Sequence, residues 1–286
     1  MIADQPARMR ASPTPRGLVR FSFLLLIALL GGCGLFGKKK ADPMETLPVG
    51  ELYQRGVTAI DNEDWNIASR TFERLIGRFP FGPYSEQSQL NLTYAQYKNN
   101  KPDEAYSTVN RFVRTYPTHK NIDYAYYLRG LINFNREGDL LARWVGLDMT
   151  KRDQAFVRQS FDDFADLLRR YPNSRYVPDA RQRLVFLRNG IAQSELSIAL
   201  FYLRRGAYVA AANRAKSVVE SYPRTPQVGD ALAIMSESYR ELGQEVLATD
   251  TERVLKLNYP NHPYFDGGWP KYRSNWWKLL PLTNRG

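Results

Sequence analysis

Between residues 49 and 260 the chain falls into stretches of helical periodicity, with apolar residues returning every third or fourth position among polar ones. Each stretch closes on an aromatic–proline pair: Phe79-Pro80, Tyr116-Pro117, Tyr171-Pro172, Tyr222-Pro223 and Tyr259-Pro260. A proline ring crowds the residue before it out of the helical region, so each pair predicts a helix stop. Successive prolines stand 37, 55, 51 and 37 residues apart. That is slightly longer than the period of about 34 residues of tetratricopeptide repeats, with two insertions in the middle.

The order inside each stretch is that of a repeat's second helix. A small residue lies twelve before the proline and apolar residues lie eight and five before: Ala68, Phe72, Leu75; Ala105, Val109, Phe112; Ser160, Phe164, Leu167; Ala211, Ala215, Val218. The fifth stretch keeps Ala248 and Leu255 but places Glu252 at the middle position. Two antiparallel helices approach closely only where small side chains face each other, and aromatics fill the gaps between hairpins. Strand signals are almost absent. The pattern predicts an all-α tetratricopeptide-repeat (TPR) solenoid of about five helix-turn-helix repeats, with an N-terminal half over 49–190 and a C-terminal half over 191–260. Glu137 to Lys151 reads as a loop inside repeat three, and Arg175 to Asn189 as an extra helical stretch joining the halves.

Ahead of the repeats, Arg8, Arg10, Arg16 and Arg20 precede the apolar run Phe21 to Leu30. A spanning helix needs about 20 apolar residues, so this run is too short and reads as a secretory signal. Leu30-Gly31-Gly32-Cys33 resembles the lipobox of bacterial lipoprotein precursors. That resemblance implies a signal peptide over 1–32, cleavage before Cys33, and a covalent N-acyl and S-diacylglycerol lipid on Cys33, with 33–48 as lipidated N-terminus and linker. Several acyl chains hold a protein stably on a bilayer at about 0.8 kcal/mol per buried CH₂. Gly34 in place of an Asp favours the outer membrane, with the body on its periplasmic face.

Charge and composition narrow the chemistry. The net charge of +11 falls to +8 without the leader, and residues 49–260 hold only +4. No concentrated phosphate-neutralising stripe is visible, which argues against a nucleic-acid partner. Cys33 is the only cysteine, and His119 and His262 lie 143 positions apart, so neither a disulfide framework nor a metal cluster is expected. Asp61-Asn62-Glu63-Asp64 lacks the spacing of a calcium loop and reads as a turn. Asp162, Asp163 and Asp166, followed by Arg169 and Arg170, read as a salt-bridged helix face. With no nucleophile elbow and no phosphate-binding glycine loop, an enzyme such as a murein hydrolase ranks last, and no further cofactor is called for.

Five stretches are specific enough to carry a family resemblance: Phe79-Pro80-Phe81-Gly82-Pro83-Tyr84-Ser85, Pro117-Thr118-His119-Lys120-Asn121-Ile122-Asp123-Tyr124, Arg129-Gly130-Leu131, Tyr171-Pro172-Asn173-Ser174 and Arg183-Leu184-Val185-Phe186-Leu187. Together they closely resemble the BamD family, formerly called ComL, the lipoprotein subunit of the outer-membrane β-barrel assembly (BAM) complex. The resemblance runs from the lipobox to about residue 260. It implies a non-enzymatic scaffold whose C-terminal repeats dock on the last periplasmic POTRA domain of BamA. The N-terminal repeats would receive the C-terminal targeting signal of unfolded outer-membrane barrel proteins, and other BAM lipoproteins would join in some bacteria. The runner-up is a periplasmic TPR lipoprotein that binds peptidoglycan or organises cell-envelope enzymes.

A groove of tyrosine, phenylalanine and arginine would suit an aromatic-rich extended segment through stacking, cation–π contact and hydrogen bonds. The candidates are Tyr53, Phe79, Phe81, Tyr84, Tyr94, Tyr97, Tyr124, Tyr127 and Arg129. For each aromatic the competing role is to fill the core between repeats. For docking on a POTRA domain the candidates are Arg204, Arg205 and Arg214, whose planar forks bind carboxylates bidentately; the competing role is a solvated helix face. The tail 261–286 adds Tyr264, Phe265, Trp269, Tyr272, Trp276 and Trp277 among Lys271, Arg273 and Lys278. It could cap the last repeat, contact a partner or lie at a membrane interface.

Overall fold

The computed structural model describes residues 43–136, 154–267 and 269. The leader 1–32, Cys33, the loop expected over Glu137–Lys151 and the tail beyond Trp269 lie outside the described residues. The chain divides into a unit of residues 1–48 and a unit of residues 49–286. In the first, the described residues hold one short 3-10 turn, Pro43–Glu45.

In the second unit the described residues form ten α-helices and no strand: α1 (Val49–Asp61), α2 (Trp65–Arg78), α3 (Pro83–Lys98), α4 (Pro102–Thr115), α5 (Ile122–Phe134), α6 (Gln154–Arg170), α7 (Val177–Arg204), α8 (Tyr208–Ser221), α9 (Val228–Glu241) and α10 (Glu245–Asn258). Each helix packs on the next, and the first helices of neighbouring hairpins also touch, α1 with α3, α3 with α5 and α7 with α9. Five stacked hairpins of this kind are the all-α TPR-type solenoid that the repeat pattern predicts.

The aromatic–proline pairs end helices in the expected way. Phe79, Tyr116, Tyr222 and Tyr259 leave the helical region with φ between −126° and −136°. Each of these four, and Tyr171, still donates its N–H to the carbonyl four residues back: Leu75, Phe112, Val218, Leu255 and Leu167. The last apolar residue of each second helix is thereby tied to the stop.

The spacing rule also places the core. All fourteen of its small and apolar positions, from Ala68 to Leu255, have no exposed surface. Truncating a fully buried Phe such as Phe72, Phe112 or Phe164 to Ala would cost about 3–5 kcal/mol. Glu252, the departure from the rule, stays at the surface and pairs with Arg240 at 2.6 Å.

From Val177 on, the stretch Arg175–Asn189 is the first half of a single 28-residue helix, α7. Ala180, Leu187 and Ile191 of α7 belong to the core around α4, α5 and α6, whereas Ala192, Leu196 and Ala199 belong to the core around α8 and α9. One unbroken helix thus carries both cores across the expected boundary. Beyond α10, the chain folds back on α9. His262 packs against Gly229, Tyr264 Oη lies 3.2 Å from Ser236 Oγ, and Trp269 Nε1 donates to Asp230. No described helix is long and apolar enough to cross a membrane.

Candidate functional site

The first candidate face forms where the turns between hairpins meet the starts of first helices. Gly82 has a φ of 100°, which side chains disfavour, and Pro83 then opens α3 with a preset helical φ. This turn sets Tyr84 beside Tyr53 of α1, ring centroids 5.2 Å apart. The two rings, Pro83, Glu86, Gln87 and the turn Thr115–Lys120 line an open cleft of about 660 Å³.

Hydrogen bonds hold the cleft walls. Asn121 Nδ2 donates to Gln87 Oε1 at 3.2 Å, Gln87 Nε2 to Asn91 Oδ1 at 3.0 Å, and Asn91 Nδ2 to Tyr53 Oη at 3.4 Å. One run of side chains therefore ties the start of hairpin three through α3 to α1. Tyr116 accepts from Gln89 at 3.1 Å, and His119 Nδ1 accepts the Asn121 N–H at 3.1 Å. Burial holds the His119 imidazole below its ordinary value against the opposing pull of Glu86. Phe81, next to Gly82, is 89 % exposed, while Phe79 is half-buried with the Arg78 guanidinium 4.8 Å over its ring.

The other aromatic candidates form a separate row on first helices. Tyr94 and Tyr97 lie on α3 and Tyr124 and Tyr127 on α5, each half-buried, and Tyr176 stands just before α7. Tyr94 packs edge-on to Trp65, and Tyr127 stacks on Tyr176 with centroids 4.7 Å apart. Tyr127 Oη donates to Asp179 Oδ2 at 2.7 Å, and Arg183 Nε reaches the same oxygen at 2.6 Å. Burial, then the hydrogen bond to Asp179, pushes Tyr127 up to about 12. Burial and the neighbouring tyrosines push Tyr124 up as well. Burial alone would raise Asp179, but the bonds from Arg183 and Tyr127 outweigh it and hold the carboxylate down. The row offers neutral hydroxyls and ring faces, several of them already engaged within the fold.

Arg129 belongs to neither surface. Its side chain is 12 % exposed, with Nε 2.8 Å from Asp163 and Nη2 3.2 Å from Asp166, and it lies 4.8 Å over the Tyr126 ring. Asp163 also accepts from Asn133 and Gln159. Burial raises the Asp163 carboxyl, against the pull of Arg129. Asp166 pairs in turn with Arg169, so Asp163 and Asp166 of α6 serve structural ion pairs. Among the described residues no group of His, Cys, Asp or Glu could hold a metal ion.

In the C-terminal half, Arg214 of α8 donates to Glu195 Oε2 at 2.9 Å, and Arg158 of α6 donates to Glu195 Oε1 at 2.6 Å. The Glu195 side chain is 7 % exposed, while Arg214 and Arg158 are about half exposed. Arg204 and Arg205 are exposed at the end of α7, and Arg205 lies over the exposed Phe201 ring.

Residue types and spacing alone did not single out Gln87, Asn91, His119, Lys120, Tyr176, Asp179, Arg158 or Glu195 as site residues. One sequence signal bears on the first two. Helix α3 places Ser85, Ser88, Gln89, Thr93 and Gln96 at buried positions, so its pattern departs from a simple apolar stripe. Of these, Gln89 donates to Tyr116 and Thr93 to the Gln89 carbonyl, while the wall itself runs through Gln87 and Asn91 on the half-buried flank of the same polar helix.

A family model described as an outer membrane lipoprotein, YfiO, matches residues 45–255. The outer membrane protein assembly factor BamD of Xylella fastidiosa strain 9a5c is 44% identical over 270 residues, covering 94% of this chain and 91% of that protein. The BamD of Neisseria meningitidis strain Z2491 is 38% identical over 260 residues, covering 89% of this chain and 97% of that protein. The Vibrio cholerae BamD is 38% identical over 237 residues, covering 83% and 97%.

Proposed function

The chain belongs to the BamD family of outer-membrane protein assembly factors, and on that premise we propose how its surfaces serve the BAM complex. The protein works without catalysis, as a scaffold anchored to the periplasmic face of the outer membrane by lipid on Cys33. Its N-terminal hairpins receive the C-terminal signal of unfolded barrel proteins, and its C-terminal hairpins dock on a POTRA domain of BamA. The observation that carries this reading is the open cleft walled by Tyr53 and Tyr84, which offers ring faces to an incoming segment while a hydrogen-bonded wall keeps the cleft in shape.

Docking through Arg214 has a physical basis. Arg214 is half exposed and uses Nη1 on Glu195, so the rest of its fork can meet an acidic group of a partner. Arg204 and Arg205 extend the same basic character to the end of α7.

The test is a pull-down of tagged protein from mildly solubilised envelopes, read by mass spectrometry, with Arg214→Glu alongside. A POTRA-bearing barrel protein should co-purify and weaken in the variant. Recovery of peptidoglycan enzymes with no such barrel would overturn the reading in favour of an envelope-organising lipoprotein. For the anchor, Cys33→Ser should move the protein from the membrane to the soluble fraction.

A further inference from the structure

The clefts between hairpins recur along one edge. The second, of about 390 Å³, lies between the start of α5 at Ile122 and Asp123 and the turn Tyr171 to Ser174. It repeats the position of the first, which lies between the start of α3 and the turn Tyr116 to Lys120. The two share Lys120 as a common wall.

Their chemistry differs. The first is walled by the rings of Tyr53, Tyr84 and Tyr116, with Glu86 as its one carboxylate. The second holds Arg170, and both Arg170 and Lys120 are exposed, with no carboxylate partner within ion-pair distance among the described residues. Its own carboxylate, Asp123, is already occupied: Oδ1 accepts the Tyr124 N–H at 2.8 Å and Oδ2 accepts from Ser174 Oγ at 2.7 Å. One cleft therefore suits a ring, and its neighbour carries two cations against one carboxylate, Asp123, whose oxygens are already hydrogen-bonded within the fold.

We propose that the two clefts are one track for an extended peptide, with an aromatic side chain between Tyr53, Tyr84 and Tyr116 and a carboxylate at Lys120 and Arg170. Packed helices lie about 8–10 Å apart, and an extended chain advances about 3.3 Å per residue. The aromatic and the acid therefore stand about three residues apart. This assignment rests on the reading that the N-terminal hairpins receive unfolded barrel segments, and it adds a charge requirement to that reading.

The test uses the full chain in detergent and a fluorescent peptide, Gly-Ser-Gly-Phe-Gly-Ser-Glu-Gly-Ser, with its reverse and a version carrying Gln for Glu. An unfolded outer-membrane barrel in urea-diluted form serves as a second probe. The Glu peptide, in one of its two directions, should bind and compete with the unfolded barrel. Replacing Glu by Gln, or making Lys120→Ala with Arg170→Ala, should weaken it about fivefold, in line with exposed ion pairs. The same double variant should leave the Gln peptide unchanged, and Tyr84→Ala should weaken both. Both cations are exposed, so their removal leaves the fold in place. If the unfolded barrel binds but the Glu and Gln peptides compete equally or not at all, the track is overturned and the broader reading stands. If peptide binds with this charge dependence but the unfolded barrel does not, the reading falls and the clefts keep their peptide specificity. If neither binds, both fall.

Discussion

Gly130 of α5 faces the Phe164 ring of α6 with no room for one more carbon: a Cβ on Gly130 would lie 2.6 Å from the ring. Ser160 Oγ also donates to the Gly130 carbonyl at 3.0 Å, so the two helices are pinned at their closest approach. Hairpin one repeats the arrangement, with Gly56 against Phe72 at 2.5 Å. Gly130→Ala should destabilise the fold by about 1–3 kcal/mol through overpacking, read by urea unfolding. Gly77→Ala is the matched control. It lies in α2 with open space around it, and should stabilise by about 0.5–1 kcal/mol.

Arg129→Ala should be destabilising in a pH-dependent way. Removing it leaves Asp163 buried without its main cation, at about 3–5 kcal/mol near neutral pH. Burial already raises the Asp163 carboxyl in the folded protein, and losing Arg129 raises it further. A raised carboxyl adds stability below the ordinary carboxylate range, and that contribution is lost as pH rises through the folded value. The deficit of the variant should therefore shrink as pH falls towards that range. Equal deficits in urea unfolding at neutral and mildly acidic pH would refute this.

Glu195 couples three helices, because its two oxygens take one arginine each from α6 and α8. Arg158→Ala and Arg214→Ala should be non-additive, with a coupling of about 0.5–3 kcal/mol in a double-mutant cycle. On the docking proposed for Arg214, Glu195→Ala should weaken POTRA binding with Arg214 itself unchanged, because Arg214 then loses its orientation.

Ending the chain after Pro260 should lower the melting temperature. The lost segment places Tyr264 Oη 2.7 Å from Arg240 Nη1, holds Trp269 on Asp230 and covers Gly229 with His262. The hydrogen bond that Arg240 donates to the Tyr264 hydroxyl is the main influence raising the guanidinium, which stays charged. Tyr264→Phe alone should cost about 1 kcal/mol in chemical unfolding. An unchanged melting temperature on truncation would show that this segment does not cap the last hairpin.

Much of the fold is legible along the chain because its causes are local. A proline expels the residue before it from the helix, and positions three and four apart share one helix face, so Phe79, Tyr116, Tyr171, Tyr222 and Tyr259 end helices and Phe72, Phe112 and Phe164 fall in the core. What each polar side chain does depends on partners far away in sequence. Arg129 reads as a ligand-binding residue until the α5–α6 contact delivers Asp163, 34 positions on, and Arg214 reads as free until α7 supplies Glu195. The Tyr53 to Asn121 wall spans 68 positions and exists only once three hairpins are stacked. Periodicity by itself determined which apolar residues of the second helices are buried, and the prolines where those helices stop. The stacking of hairpins alone decided which polar groups meet, because a hydrogen bond or ion pair needs its partner within a few ångströms and no local rule sets that distance.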